Sequence, residues 1–174
     1  MYKWPIKISS LFNAPLGGKS SLKLSQDIDI FEEDFGVKGL AQIKGDLDMF
    51  KMEESVAAIF RIAPIKLDVS CCKCLNEFPV EIEFPEFERV FLLSKPKSYE
   101  KNDDSIMADL KNCEIDVAQP IYQEILLHLS PNPVCLTGCK GLCSKCGQNL
   151  NDSTCKCSKI VNPENPFSTL KNLF

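Results

Sequence analysis

Six of the chain's ten cysteines fall within the 23 residues from Cys135 to Cys157, CLTGCKGLCSKCGQNLNDSTCKC. Gly138, Gly141, Gly147 and several lysines lie between them, leaving too little apolar material for a core. Sulfur chemistry has to hold this segment together.

Its clearest unit is Cys143-Ser144-Lys145-Cys146-Gly147, a C-x2-C pair followed at once by glycine. Two intervening residues let both thiolates reach one ion at about 2.3 Å, and glycine accepts the positive φ that turns backbone amides towards sulfur. Cys155 and Cys157 follow as a tighter C-x-C, and the four together predict one local site. A second C-x2-C stands far upstream at Cys71 and Cys74. Cys135 and Cys139 remain to complete it, so the expectation is two structural Zn2+ sites, one local and one joining distant parts of the chain. Cys72 and Cys113 are then spare thiols.

Two other uses of sulfur compete with this reading. Ten cysteines could form five disulfides, but these need an oxidising compartment, and MYKWPIKISSLFNAPLGG has no continuous apolar run of the kind that directs export. Thiol-disulfide catalysis wants C-x-x-C opening a helix in a βαβ unit, whereas Cys71 ends a strand-like run. A shell of four sulfurs leaves no position for water or substrate, which points to structural rather than catalytic metal.

No apolar run approaches the length of a membrane span, and a soluble, cytoplasmic protein is expected. Residues 1–134 carry 15 Lys+Arg against 22 Asp+Glu, net −7, and residues 135–174 carry 5 against 2, net +3. A basic tail suits an anionic partner such as RNA, although one zinc with four thiolates brings −2 of its own.

Strand patterns dominate the first half. WPIKISSLF alternates Trp4, Ile6 and Ile8 with polar residues, and NAPLGGKSS reads as an ordinary loop, since a phosphate-binding loop would need glycine at Asn13. SLKLS, DIDIF, an acidic EEDFG turn, the long alternating run from Lys38, SVAAIFRI, IKLDVSC and FPVEIEFPEFERVFLL follow, with Pro64 separating two of them and Pro85 bending the last. Consecutive strands without helical periods predict a mainly β (α+β) fold, an antiparallel meander or barrel-like sheet. One helix and a C-terminal zinc-knuckle module should follow it.

Four regions result: a β domain over 1–94, a polar acidic linker over 95–112, a helix over 113–130 that packs on the β domain, and the cysteine-rich module with an amphipathic tail over 131–174. Asp116 is the expected N-cap, with Gln119 three residues on, and Val117, Ile121, Ile125 and Leu129 form the buried face. His128 is expected to be a surface or packed residue rather than a ligand. Phe167, Leu170 and Phe174 give the tail its apolar spacing.

Taken together, the pieces resemble the YceD family of large ribosomal RNA subunit accumulation proteins. The matching motifs are C-x-x-C-L at Cys71, Cys74 and Leu75, I-x-x-E-I-x-L-x-L from Ile121 to Leu129, and C-K-G-L-C-x-x-C-G-x-N-L-N from Cys139 to Asn151. The C-x-C of Cys155 and Cys157 and N-P-F-x-x-L-x-x-L from Asn165 to Leu173 complete the set. Lys73 stands where relatives commonly carry arginine, Ser144 where proline is usual, and Ser130 where a leucine-proline step is normally completed. None of these departures removes a candidate ligand. The resemblance implies a non-enzymatic bacterial factor needed for accumulation of 23S ribosomal RNA and for large-subunit assembly.

On this reading Lys140, Lys145, Lys156 and Lys159 flank metal-fixed backbone and are the candidate contacts to the phosphates of precursor 23S rRNA. The alternative is an adaptor whose zinc sites only hold its shape, since an acidic body suits a basic large-subunit ribosomal protein. Neither reading needs a membrane or a small-molecule substrate. No triad and no paired carboxylates in a cleft point to an enzyme.

Overall fold

The computed structural model describes residues 3–32, 37–94 and 106–157. Period-two alternation builds its body. Strands β2 (Lys19–Glu32) and β3 (Val37–Lys51) pair antiparallel along their full length, with Lys19 opposite Phe50 and Glu32 opposite Val37. Leu24, Ile28 and Ile30 of β2 are buried with Ala41, Ile43, Leu47 and Met49 of β3. The SLKLS and DIDIF segments are therefore one continuous strand.

β4 (Ser55–Ile62) and then β5 (Ile65–Ser70) line the other edge of β3, from Lys51 opposite Val56 to Val37 opposite Val69. β6 (Glu77–Ile82) pairs with β5, and β7 (Phe87–Leu92) with β4. From the Phe60–Phe87 pair to the Ile65–Ile82 pair each leg moves by five residues. The four strands are thus one long hairpin interrupted in both legs at the same level. Pro64 and Pro85 stand at the interruption, where neither can donate to the ladder.

The side of the ladder that faces inward changes there. Val56, Ala58, Phe60 and Ile62 are buried before it, and Ile65, Leu67 and Val69 after it, so the buried positions pass from even to odd. The sheet curls at this corner. A Cβ on Gly45, opposite Ile62, would collide with the Arg61 carbonyl, so only glycine lets the two backbones approach so closely. Phe60 stacks on Phe87 with ring centroids 4.8 Å apart. Phe60 and Phe91 are both fully buried, each stabilising the fold by about 1.5–3 kcal/mol.

The mainly β body expected from the sequence is present as a curled sheet, but its strand order is not that of a simple meander, because β5 and β7 pair with strands that are not their neighbours in sequence. In the large sheet the order is β6-β5-β3-β4-β7-β8, with β2 on β3 and β8 (Ile106–Met107) parallel to β7. Residues 106–112, counted with the linker in the sequence reading, hold β8 and a turn in which Asp109 accepts the N–H groups of Lys111 and Asn112. The rest of that linker, the 33–36 part of the acidic turn and the amphipathic tail lie outside the described residues.

The opening segment corrects its expectation in part. β1 (Pro5–Lys7) pairs with β9 (Glu114–Asp116), but Ser9–Phe12 then turns into the one-turn helix α1, in which the Asn13 side chain donates to the Ser9 carbonyl. Alternation alone cannot distinguish a strand that ends after three residues from one that continues. The NAPLGGKSS loop is tied down by mutual backbone bonds of Gly17 and Gly18 with Lys51, which starts the β2–β3 hairpin.

Helix α2 (Ala118–His128) follows β9, and Val117, Ile121, Ile125 and Leu129 are all buried as expected. The N-cap is Val117, which makes no side-chain cap bond, and not the expected Asp116, which lies one residue earlier at the end of β9, so the helix starts later than expected. Asp116 Oδ1 accepts the N–H of Ala118 and also that of Trp4, tying the N-terminal segment to the start of the helix with one carboxylate. Buried Glu124 receives Arg89 Nη2 of β7 at 2.9 Å, holding the helix to the sheet. His128 is an exposed residue that lies edge-on to Phe84 and near Glu124, and it is no part of a sulfur cluster.

Candidate metal centres and their relatives

The eight cysteines singled out by spacing gather into two groups of four, Cys71, Cys74, Cys135 and Cys139, and Cys143, Cys146, Cys155 and Cys157. Within each group all sulfurs lie within 4.8 Å of one another. Cys72 is exposed and Cys113 half-exposed, and neither belongs to a group.

The first group is built where β5 ends. The β5–β6 turn supplies Cys71 and Cys74: the Leu75 N–H donates to the Cys71 carbonyl at 2.9 Å and the Cys71 N–H to the Asn76 carbonyl at 2.9 Å. The N–H of Lys73 points at Cys71 Sγ, 3.4 Å away. Leaving α2, the chain is clamped to this turn by the Cys72 N–H on the Pro133 carbonyl, which delivers Cys135 and Cys139. The Leu142 N–H then donates to the Lys73 carbonyl, and Gly141, at φ +72°, passes so near Lys73 that a Cβ would sit 3.0 Å from its carbonyl oxygen.

Residues 143–148 repeat the same knuckle. The Gly147 N–H donates to the Cys143 carbonyl at 2.9 Å and the Cys143 N–H to the Gln148 carbonyl at 2.8 Å, with Gly147 at φ +70°. Its counterpart in the first knuckle is Leu75 at φ +61°. This glycine was legible in the sequence; the leucine was not, because nothing about Leu75 signals a left-handed backbone. Among the described residues beyond α2, only the Leu142–Asn149 bridge resembles regular structure.

Sulfurs placed tetrahedrally about one ion at about 2.3 Å lie about 3.8 Å from each other. Cys71 and Cys139 are separated by 3.9 Å, Cys74 and Cys135 by 3.5 Å, and Cys143 and Cys155 by 3.4 Å. The donor sets therefore fit a thiophilic, tetrahedral divalent metal. The electrostatics agree. Burial pushes the Cys71 thiol up, but the N–H groups of Cys135, Cys74 and Lys73 outweigh it and bring it to about 6. Burial and the neighbouring thiols push Cys135 up to about 12. In the second group, the N–H groups of Cys146 and Lys145 lower Cys143 to about 6, while Cys146 and then burial raise Cys157 to about 12. Adjacent thiolates resist ionising together, and a dication among them removes that conflict.

Of the candidate contact lysines, Lys140, Lys145 and Lys156 are exposed on the segment between and around the clusters, and Lys159 lies outside the described residues. Sequence reasoning missed Asn151. Its Nδ2 donates to Cys139 Sγ at 3.3 Å and its Oδ1 accepts the Lys140 N–H at 2.8 Å. The sequence offered it only as the last residue of the C-K-G-L-C-x-x-C-G-x-N-L-N motif, with no role attached, and as a short polar side chain in a loop between ligands, a type that often bonds nearby backbone. No helix among the described residues is long and apolar enough to cross a membrane.

Large ribosomal RNA subunit accumulation protein YCED homolog 1, chloroplastic, from Arabidopsis thaliana is 39% identical over 46 residues, which is 26% of this chain and 14% of the relative. The Zea mays protein of the same name is 39% identical over 75 residues, 41% of this chain and 24% of its own length. The matches thus span a quarter or less of these curated relatives. No solved structure matches the chain. The family described as large ribosomal RNA subunit accumulation protein YceD matches residues 63–174, a span that holds all eight clustered cysteines. With well over half its length so matched, the chain belongs to the YceD family.

Proposed function

We propose that this protein is a non-enzymatic factor that supports accumulation of large-subunit ribosomal RNA and is held in its working shape by two zinc ions. The observation that carries the functional half is the YceD family match over residues 63–174. The metal half rests on the two four-sulfur groups, whose donor type and spacing suit zinc. Cys71, Cys74, Cys135 and Cys139 would hold one ion, and Cys143, Cys146, Cys155 and Cys157 the other. Zinc supplies folding energy in such a site and leaves no ligand position open for chemistry.

The curled sheet is then a platform, and Lys140, Lys145, Lys156 and Lys159 are the contacts to phosphates of precursor 23S rRNA. Charge reversal at all four should remove the protein from assembling large subunits in a sucrose gradient; undiminished co-sedimentation would take these lysines out of the contact. The net charge of −7 over residues 1–134 favours a second reading, an adaptor that meets a basic ribosomal protein. In-cell crosslinking separates the two, because RNA adducts support the first and a dominant basic protein partner the second.

A further inference from the structure

We propose that Asn151 couples the two metal sites, so that filling the local one tightens the distant one. The inference rests on the zinc reading above and concerns a residue that is itself no ligand. Asn151 belongs to the loop between Cys146 and Cys155, both members of the local group. Its side chain nevertheless ends 3.3 Å from Cys139 Sγ, a member of the distant group. The orientation is set by a neighbour. The backbone N–H of Lys140 can only donate, so the atom facing it at 2.8 Å is the amide oxygen, and the amide nitrogen is left for the sulfur.

The carboxamide is held from within its own loop as well. Asn149 Oδ1 accepts both the Asn151 backbone N–H at 3.0 Å and its Nδ2 at 2.8 Å. The Leu150 N–H donates to the Gly141 carbonyl, and Leu142 bridges to Asn149. These bonds join residues 149–151 to residues 140–142, the stretch that packs on Lys73 beside Cys71 and Cys74. The loop between Cys146 and Cys155 has no helix or strand of its own, and an ion at the local site would add to these bonds a clamp at both of its ends, Cys146 and Cys155. Fixing that loop fixes the amide donor to a sulfur of the other site. Outer-sphere donors of this kind orient a thiolate and stabilise its charge, and their loss costs about 10–100-fold in metal affinity. Linkage makes the effect mutual.

The test is a Co(II) titration of the full reduced chain with chelator competition, read by thiolate-to-cobalt absorption. Asn151→Ala should still bind two ions, with the distant site weakened about 10–100-fold. Asn151→Asp keeps an oxygen for the Lys140 N–H but turns a second oxygen towards sulfur, and it should weaken that site at least as much. Deleting the local site with Cys146→Ser and Cys155→Ser should weaken the distant site comparably, and adding Asn151→Ala to that background should change it by less than about twofold. Far-UV circular dichroism checks that each variant keeps its β body. Wild-type affinities in both Asn151 variants would overturn the proposal, as would equal weakening by Asn151→Ala with and without the local site. Failure of the unmodified chain to bind Co(II) would instead remove the metal reading, and the coupling with it.

Discussion

Leu75 and Gly147 occupy the same place in two knuckles closed by matching backbone hydrogen bonds, each the residue after the second cysteine of a C-x2-C pair, each left-handed, at φ +61° and +70°. A non-glycine residue in that region carries a backbone cost of about 1–2 kcal/mol. Leu75 is also 65% exposed, so packing returns little of it. Leu75→Gly should therefore leave the metal-loaded protein within about 1 kcal/mol of wild-type stability, since relieved strain offsets the added freedom of the unfolded chain. Gly147→Ala should cost about 1–2 kcal/mol although its Cβ would meet nothing within 4 Å. Chemical denaturation of the loaded proteins compares the two. A Leu75→Gly loss larger than the Gly147→Ala loss would mean the leucine side chain stabilises the fold.

The two sulfur groups differ in cover. Cys71, Cys74 and Cys139 are buried, whereas Cys146 is exposed and the rest of its group is half-buried. A chelator should strip the local site first, and release should be biphasic when followed with a zinc-sensitive dye. In Cys146→Ser only the slow phase should remain. A single phase unaffected by that substitution contradicts the difference in access.

Glu124 is buried on α2 and its charge is met by Arg89 at 2.9 Å. Removing the partner leaves a buried carboxylate uncompensated, so Arg89→Met should destabilise by about 3 kcal/mol. The double variant Arg89→Met, Glu124→Leu should recover most of that loss. Urea denaturation of the single and double variants decides it, and equal losses in both would show that the cost lies in packing rather than charge.

On the outer face of the sheet, Asp48 accepts hydrogen bonds from Ser21, Arg61 and Lys19, in that order of influence, and its carboxyl is held well below the usual carboxylate range. A depressed folded-state value means that this contribution is complete above the unfolded pKa of about 3.9 and is lost as the pH falls through the lower folded value. Asp48→Asn should flatten the fall in stability below about pH 4 and lower stability at neutral pH. Denaturation midpoints at several pH values give the slope; an unchanged slope assigns the acid sensitivity elsewhere.

Much of this architecture could be read directly from the chain. Alternation at Val56, Ala58 and Phe60, and again at Ile65, Leu67 and Val69, announces strands, and the spacing of Val117, Ile121, Ile125 and Leu129 announces the helix that buries them. The partition of eight cysteines followed from joining Cys143 and Cys146 to the C-x-C after them and giving Cys71 and Cys74 the sulfurs left over, Cys135 and Cys139. What stayed hidden depends on tertiary placement. Pro64 separates two strands in sequence, but that both continue along one edge of β3 requires the Val37–Val69 pair. The two residues of β8 are too few to show a period, and they become a strand only against Phe91 and Leu92. Leu75 takes its left-handed turn because Cys71 and Asn76 close around it, and Asn151 faces Cys139 because the chain doubles back through Leu142 and Asn149.

Native mass spectrometry of the reduced protein, before and after a strong chelator, tests the central claim most directly. The account predicts a mass corresponding to two zinc ions per chain, with eight thiols protected from alkylation until the metal is removed. A metal-free chain whose clustered cysteines are paired as disulfides, or one that holds a single ion, would contradict it.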